Sequence, residues 1–293
     1  MVESSSSPVL VTGATGNVGR HVVEGLLAAG YPVRAAAGSR EQVAALFADR
    51  VEAVELDFTD QATWGAAYAG VPIAFVMRPP QLGNVRRDML PSLEAARSAG
   101  VQHVVLLSLQ GAERNRLVPH ATLEAWLRAS GLAWTFVRPS FFMENLSTTH
   151  AADIRDSDEI VVPAGRGRTS FVAASDVAAV ATAALLDPQA HRGRAWTPTG
   201  PQALSYDEVA TVLSEVTGRS IHYTAPGVLR YAWHASSVLG LPAGMVLVTS
   251  AIYCVARAGR AAGRTDDVRR VTGRDPIDLR GWARGHAAAW VRP

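Results

Sequence analysis

A chain of 293 residues, 48% hydrophobic and 18% charged, carries enough apolar material for a buried core and too little charge to remain disordered. All 28 basic side chains are arginine, which excludes a P-loop phosphate lysine, a Schiff base and a Tyr-x-x-x-Lys pair but leaves phosphate binding open; the net charge of +2 is uninformative. A single cysteine, Cys254, excludes a disulfide framework and a cysteine-based zinc cluster, and the eight histidines show no ligand spacing, so no metal is expected. With no secretory pattern at the N-terminus, a cytoplasmic protein is expected.

In chain order, β-branched runs predict strands at 9–12, 32–37, 51–55, 73–77, 103–108 and 134–137. Amphipathic stretches between them predict helices over 18–29, 61–68, 85–98 and 121–130. This alternation predicts an α/β fold, a doubly wound parallel sheet of the Rossmann type. Beyond residue 140 the rhythm loosens. Strands at 160–162, 195–198 and 221–223 mix with helices over 175–186 and 206–217 and a helix-rich tail. The predicted division is a dinucleotide-binding domain over 1–150, with some later elements returning to its sheet, and a smaller mixed α+β cap over 151–293. No formal charge lies between Arg230 and Arg257, but Gly240, Pro242 and Gly244 interrupt the apolar run, so residues 245–256 read as a buried or pocket-wall helix and not a membrane span. The arginines of residues 257–284 alternate with aspartates, predicting a solvated ion-paired face and neither a nucleic-acid nor a membrane partner.

The first strand runs directly into Thr12-Gly13-Ala14-Thr15-Gly16-Asn17-Val18-Gly19 and then a helix. Gly13 suits the tight turn, Gly16 lets the backbone approach a pyrophosphate, and Gly19 lets helix pack on strand, with Thr15, Asn17 and Val18 completing the phosphate turn. No acid ends the second strand, where an NAD site places one on the ribose. Arg34, Ser39 and Arg40 there favour a 2′-phosphate, hence NADP(H) over NAD(H), or are solvated loop residues. Asp57 ends the third strand and either accepts from the adenine or serves as a turn residue.

The glycine loop, the absence of lysine, and the run from Ser108-Leu109-Gln110-Gly111 through His120 and Glu124 resemble the NmrA-like family of atypical short-chain dehydrogenases/reductases. Further matches are the run from Gly131 to Pro139, Phe142-Met143-Glu144-Asn145-Leu146, the run from Phe171 to Ala178 and the run from Thr199 to Tyr206; the resemblance covers residues 8–224. It implies that the glycine loop holds the pyrophosphate, Asp57 and Phe58 flank the adenine, Met77, Arg78 and Pro79 lie along the ribose, and Pro139, Ser140 and Phe141 sit beside the nicotinamide. Many members carry arginine where this chain has Gly38.

The resemblance implies an NAD(P)H-dependent oxidoreductase passing hydride to a small quinone-like, imine or enone acceptor. The alternative within the same family is a non-catalytic NADP(H)-binding redox sensor that acts through a protein partner. Where better-known short-chain dehydrogenases place a serine and a Tyr-x-x-x-Lys pair, this chain has Ser108 and His120-Ala121-Thr122-Leu123-Glu124. His120 and Glu124 share a helix face at i,i+4, so the expected catalytic set is His120 as proton donor, Glu124 raising its pKa and Ser108 steadying the acceptor oxygen. Its rival is a His120 that only covers the helix start. The apolar residues Phe141, Phe142 and Met143 are expected to line the acceptor pocket, with Tyr231, Trp233 and Tyr253 as a roof or as core.

Overall fold

The computed structural model describes residues 7–292, which form two compact units. The first opens with β1 (Val9–Thr12), α1 (Gly19–Ala28), β2 (Val33–Ala37), α2 (Arg40–Phe47), β3 (Glu52–Glu55), α3 (Trp64–Tyr68) and β4 (Ile73–Met77). It continues with α4 (Val85–Asp88), α5 (Leu90–Ser98), β5 (His103–Leu107), α6 (Pro119–Ala129) and β6 (Ala133–Val137). The second unit then contributes β7 (Phe141–Phe142), β8 (Glu159–Val161) and β9 (Arg168–Val172). The chain returns to the first unit as α7 (Ala174–Leu186), α8 (Pro188–His191) and β10 (Arg194–Trp196). It finishes in the second unit with β11 (Ala203–Ser205), α9 (Tyr206–Thr217), β12 (His222–Thr224), α10 (Val228–Ser237), α11 (Ala243–Arg257) and α13 (Leu279–Gly285), while α12 (Asp267–Thr272) belongs to the first.

The first unit is built on a seven-stranded sheet of order β10-β6-β5-β4-β1-β2-β3, every pair parallel. Its inner strands are near-continuous apolar runs because helices cover both faces, and β1 and β5 are buried at every position, whereas the edge strands β3 and β10 carry Glu52, Glu55 and Arg194 and are partly exposed. On α1 the buried residues Val22, Val23 and Leu26 form one stripe. Gly25 beside them lets α7 approach so closely that a Cβ there would lie 2.9 Å from Thr182 Oγ1.

The second unit carries a three-stranded sheet, β11-β9-β7, and a two-stranded one, β12-β8. Its core holds a group of rings: Phe141, Phe171, Tyr206, Tyr231 and Tyr253, with neighbouring centroids 5.4–6.0 Å apart. Helix α9 starts on a full capping box between Ser205 and Glu208 and ends at Gly218 with φ +69°. The chain thus leaves the first unit after Pro139, not at residue 150, because β7 pairs with β9. No helix among the described residues is long and apolar enough to cross a membrane.

Candidate functional site

The strand order reverses between β1 and β4, and the glycine loop leaves the carboxyl end of β1 beside that switch point. Gly13 adopts φ +61°, and a Cβ there would lie 2.6 Å from Met77 Cγ. At Gly19 a Cβ would lie 2.1 Å from the Gly13 carbonyl oxygen, so the loop is drawn tightly against the first turn of α1. The Gly16 N–H donates to the Gly13 carbonyl at 2.9 Å, and Thr12 Oγ1 accepts from the Met77 N–H at 3.0 Å, fixing the loop to β4. The backbone N–H groups of Thr15, Asn17 and Val18 have no acceptor among the described residues. Val18 caps α1 without a side-chain bond and no acid stands in the first turn, so the positive end of the helix is unanswered. Arg20, one residue beyond the last glycine, keeps a buried Nε without a partner among the described residues. Sequence reasoning passed over Arg20; its only signal was its place directly after the third glycine.

At β2 the structure corrects one expectation. Arg34 is the second residue of the strand, so its guanidinium lies toward the amino end of the sheet, bonded to Glu52 at 2.8 Å and to the carbonyls of Ala67 and Ala69. It ties strand to helix and is removed from the 2′-phosphate set. Ser39 caps α2, accepting from the Gln42 N–H and donating to Glu41, whereas Arg40 is exposed. A Cβ at Gly38 would meet nothing within 4 Å, so the space above the strand end is open. Asp57 is the turn residue: its Oδ1 accepts from the N–H and hydroxyl of Thr59, both at 2.7 Å. Phe58 does not present its ring, which is buried in the core of this unit.

Beyond β4, Arg78 donates to the carbonyls of Pro79, Pro80 and Leu82 and so staples the loop, while its Nε is buried without a partner among the described residues. Burial holds its pKa below the usual value. Pro139 ends the unit, its carbonyl accepting from the Gln110 N–H at 3.0 Å. Ser140 and Phe141 lie in the second unit; the Ser140 hydroxyl donates to the Ser170 carbonyl and Phe141 packs on Phe171 and Tyr253. In that same unit Met143, Tyr231 and Tyr253 are core residues, while Trp233 is exposed.

The expected His120–Glu124 donor pair is not what the structure builds. Glu124 is fully buried and accepts from Ser108 Oγ at 2.7 Å and, bidentate, from Arg138 at 2.8 and 2.6 Å. Arg128 adds a further bond at 3.2 Å. Burial alone pushes the Glu124 carboxyl up, but the bonds from Arg138 and Ser108 outweigh it and hold the group below the usual range. Ser108 therefore has its hydroxyl proton committed to a carboxylate. His120 keeps a buried Nδ1 without a partner among the described residues, and burial together with the nearby Arg78 pushes its pKa down to about 4, against a weaker upward pull from Glu124. The imidazole is neutral at neutral pH, the opposite of the expected raised pKa.

A parallel doubly wound sheet with a glycine-walled, donor-rich turn at its switch point defines a dinucleotide-binding α/β protein. Residues 5–230 match the NmrA-like family, and the chain belongs to it. It is 36% identical to the NAD(P)H azoreductase of Xenophilus azovorans over 291 residues, 96% of this chain and 99% of that one. It is 34% identical to a (4-alkanoyl-5-oxo-2,5-dihydrofuran-3-yl)methyl phosphate reductase of Streptomyces griseus, over 97% of this chain and 99% of that one. Among solved structures, the triphenylmethane reductase of a Citrobacter species, complexed with NADP(H), superimposes with a TM-score of 0.80 at 26% identity, covering 93% of this chain and 97% of that one.

Proposed function

We propose that the chain is an NADPH-dependent oxidoreductase that passes hydride to a small quinone-like, imine or enone acceptor. The observation that carries the cofactor assignment is the set of three backbone N–H groups, at Thr15, Asn17 and Val18, left without acceptors at the uncapped start of α1. A pyrophosphate supplies the missing acceptors and the negative charge that the helix end favours. Gly13, Gly16 and Gly19 supply the close approach, and the orphaned Nε of Arg20 offers a further phosphate donor. The acid-free end of β2, with Arg40 exposed on the first turn of α2, favours a 2′-phosphate over a free ribose hydroxyl. The azoreductase relative and the NADP(H)-bound reductase agree with this reading. A cytoplasmic location, where NADPH is regenerated, goes with it.

When bound, the reduced nicotinamide supplies the hydride. The chain's own residues hold and orient: the glycine loop and Arg20 would grip phosphates, Arg40 the 2′-phosphate, and residues 77–79 the ribose. None of the expected catalytic trio stands ready to give up a proton at neutral pH. Glu124 is ionised, Ser108 is bonded to it and His120 is neutral. Acceptors whose reduced forms take a proton from water therefore suit the site best.

Quenching of tryptophan fluorescence by NADPH and by NADH tests the cofactor. Tighter NADPH binding is expected; equal or tighter NADH binding removes the preference, and no binding of either removes the site. A screen of NADPH oxidation against quinones, azo dyes, imines and enones tests the reaction. Background turnover with all four, despite NADPH binding, would leave the redox-sensor reading in its place.

A further inference from the structure

Eleven large hydrophobic side chains are exposed among the described residues, and eight of them fall between Val228 and Val255. They are not scattered. Helices α10 and α11 pack together and turn Tyr231, Ala235, Tyr253 and Ala256 inward to the core of the second unit. Outward, α10 presents Leu229 and Trp233 one turn apart, 88% and 65% exposed. On α11 the outward stripe is Leu247, Val248, Ala251, Ile252 and Val255, with no polar side chain in it, and Leu247 is 73% exposed. A contiguous apolar face of this kind marks an interaction surface.

Charge selects the occupant. Between Glu215 and Asp266 the chain has no acidic residue and five arginines. Arg230, Arg257 and Arg260 are exposed around the hairpin, with no ion-pair partner among the described residues. A second copy of the chain meeting this face across a two-fold axis would set arginine near arginine, with no carboxylate in the patch to answer. An anionic lipid surface offers negative headgroups to the arginines and an acyl boundary to the leucine, valine and isoleucine stripe. The exposed tryptophan suits the interface between the two. Helix α11, with 15 residues, is too short to cross and long enough to lie in the plane.

We propose that the α10–α11 hairpin is a peripheral docking surface for anionic membranes. The test is cosedimentation of the full chain with vesicles of phosphatidylcholine alone or mixed equally with phosphatidylglycerol. Binding should be about tenfold or more stronger on the anionic vesicles and should weaken with added salt. The double variant Leu247→Glu/Ile252→Glu should abolish it while leaving NADPH binding unchanged, since Leu247 is 73% and Ile252 40% exposed and neither belongs to the glycine loop. Arg230→Gln/Arg257→Gln, which replaces no apolar side chain, should weaken it about tenfold at a melting temperature changed by no more than a few degrees, and decides the matter if the first variant misfolds. Equal binding to neutral and anionic vesicles would overturn the proposal. So would a chain that binds neither, and so would a concentration-dependent dimer in ultracentrifugation without vesicle binding, which assigns the face to a second copy.

Discussion

Replacing Gly19 by alanine tests the cofactor site at its tightest point. The new methyl would stand 2.1 Å from the Gly13 carbonyl oxygen and 2.7 Å from its carbonyl carbon, where ordinary contact begins at 3.4 Å. The neighbour is backbone, so the loop must retreat by 3.4 less 2.1, or 1.3 Å. Hydrogen bonds tolerate only about 0.5 Å of spread in donor–acceptor distance, so the retreat would break bonds from the loop N–H groups to phosphate. Each such bond to a charged acceptor is worth roughly 1.5–3 kcal/mol. Losing two costs about 3–6 kcal/mol, or roughly 10²–10⁴-fold in the NADPH dissociation constant. Fluorescence titration measures it. Gly65→Ala on α3 is the matched control, because its methyl meets nothing within 4 Å and it lies outside the loop and the β2 end, and its affinity should change less than about threefold. A folded Gly19→Ala protein that binds NADPH as tightly as the parent would refute the placement of phosphate on this loop.

Glu124→Gln should lower unfolding free energy by roughly 3 kcal/mol in urea titration, because it leaves the Arg138 guanidinium buried beside a neutral amide; an unchanged midpoint would show the pair to be dispensable. His120→Ala should reduce turnover of a quinone or imine less than about tenfold and should remove no ionisation between pH 6 and 8 from the rate profile, since the imidazole is already neutral there; a loss of about 10²-fold or more would restore it as general acid. His103, His120 and His150 are all pushed down to about 4, burial being the first cause in each. The unfolded chain, with histidines near 6.5, then binds more protons as pH falls. Stability should decline from about pH 6.5 toward pH 4, by roughly 2 kcal/mol between pH 7 and 5 for each of the two most buried rings and less for His120. Equal unfolding free energies at pH 7 and pH 5 would contradict this.

Periodicity located β1, β4 and α9 to the residue and placed the other strands of the first unit within one or two positions, because the inner strands are apolar runs bounded by turn residues. It passed over β7, β9 and β11. Two residues of β7 carry no period, and β9 opens on the polar Arg168, Thr169 and Ser170 although four of its five residues are buried. The glycine site was legible because its constraint is local: three residues without a Cβ at fixed spacing, in sequence and in space alike. Arg34 was misread because counting from the glycines identifies a strand but not which of its ends a side chain serves. The carboxyl end is Ala37, three residues further on, and Arg34 instead finds Glu52 in the paired strand.

The fate of Glu124 follows from the same distinction. Helical spacing does put it on one face with His120, yet a carboxylate without solvent cannot be ionised by a neutral imidazole; it needs a cation with matching fork geometry. Arg138 provides one from the end of β6, and Arg128 a second from the next helical turn. In a chain without lysine, the helix that would carry a Tyr-x-x-x-Lys pair has become a structural anchor, tying β5 through Ser108 to β6 through Arg138. That anchoring fixes the carboxyl edge of the sheet, where the cofactor is to be aligned, at the expense of a protein-borne acid. On the proposed function, proton supply falls to solvent, and acceptors that gain hydride first and equilibrate their protons with water are favoured.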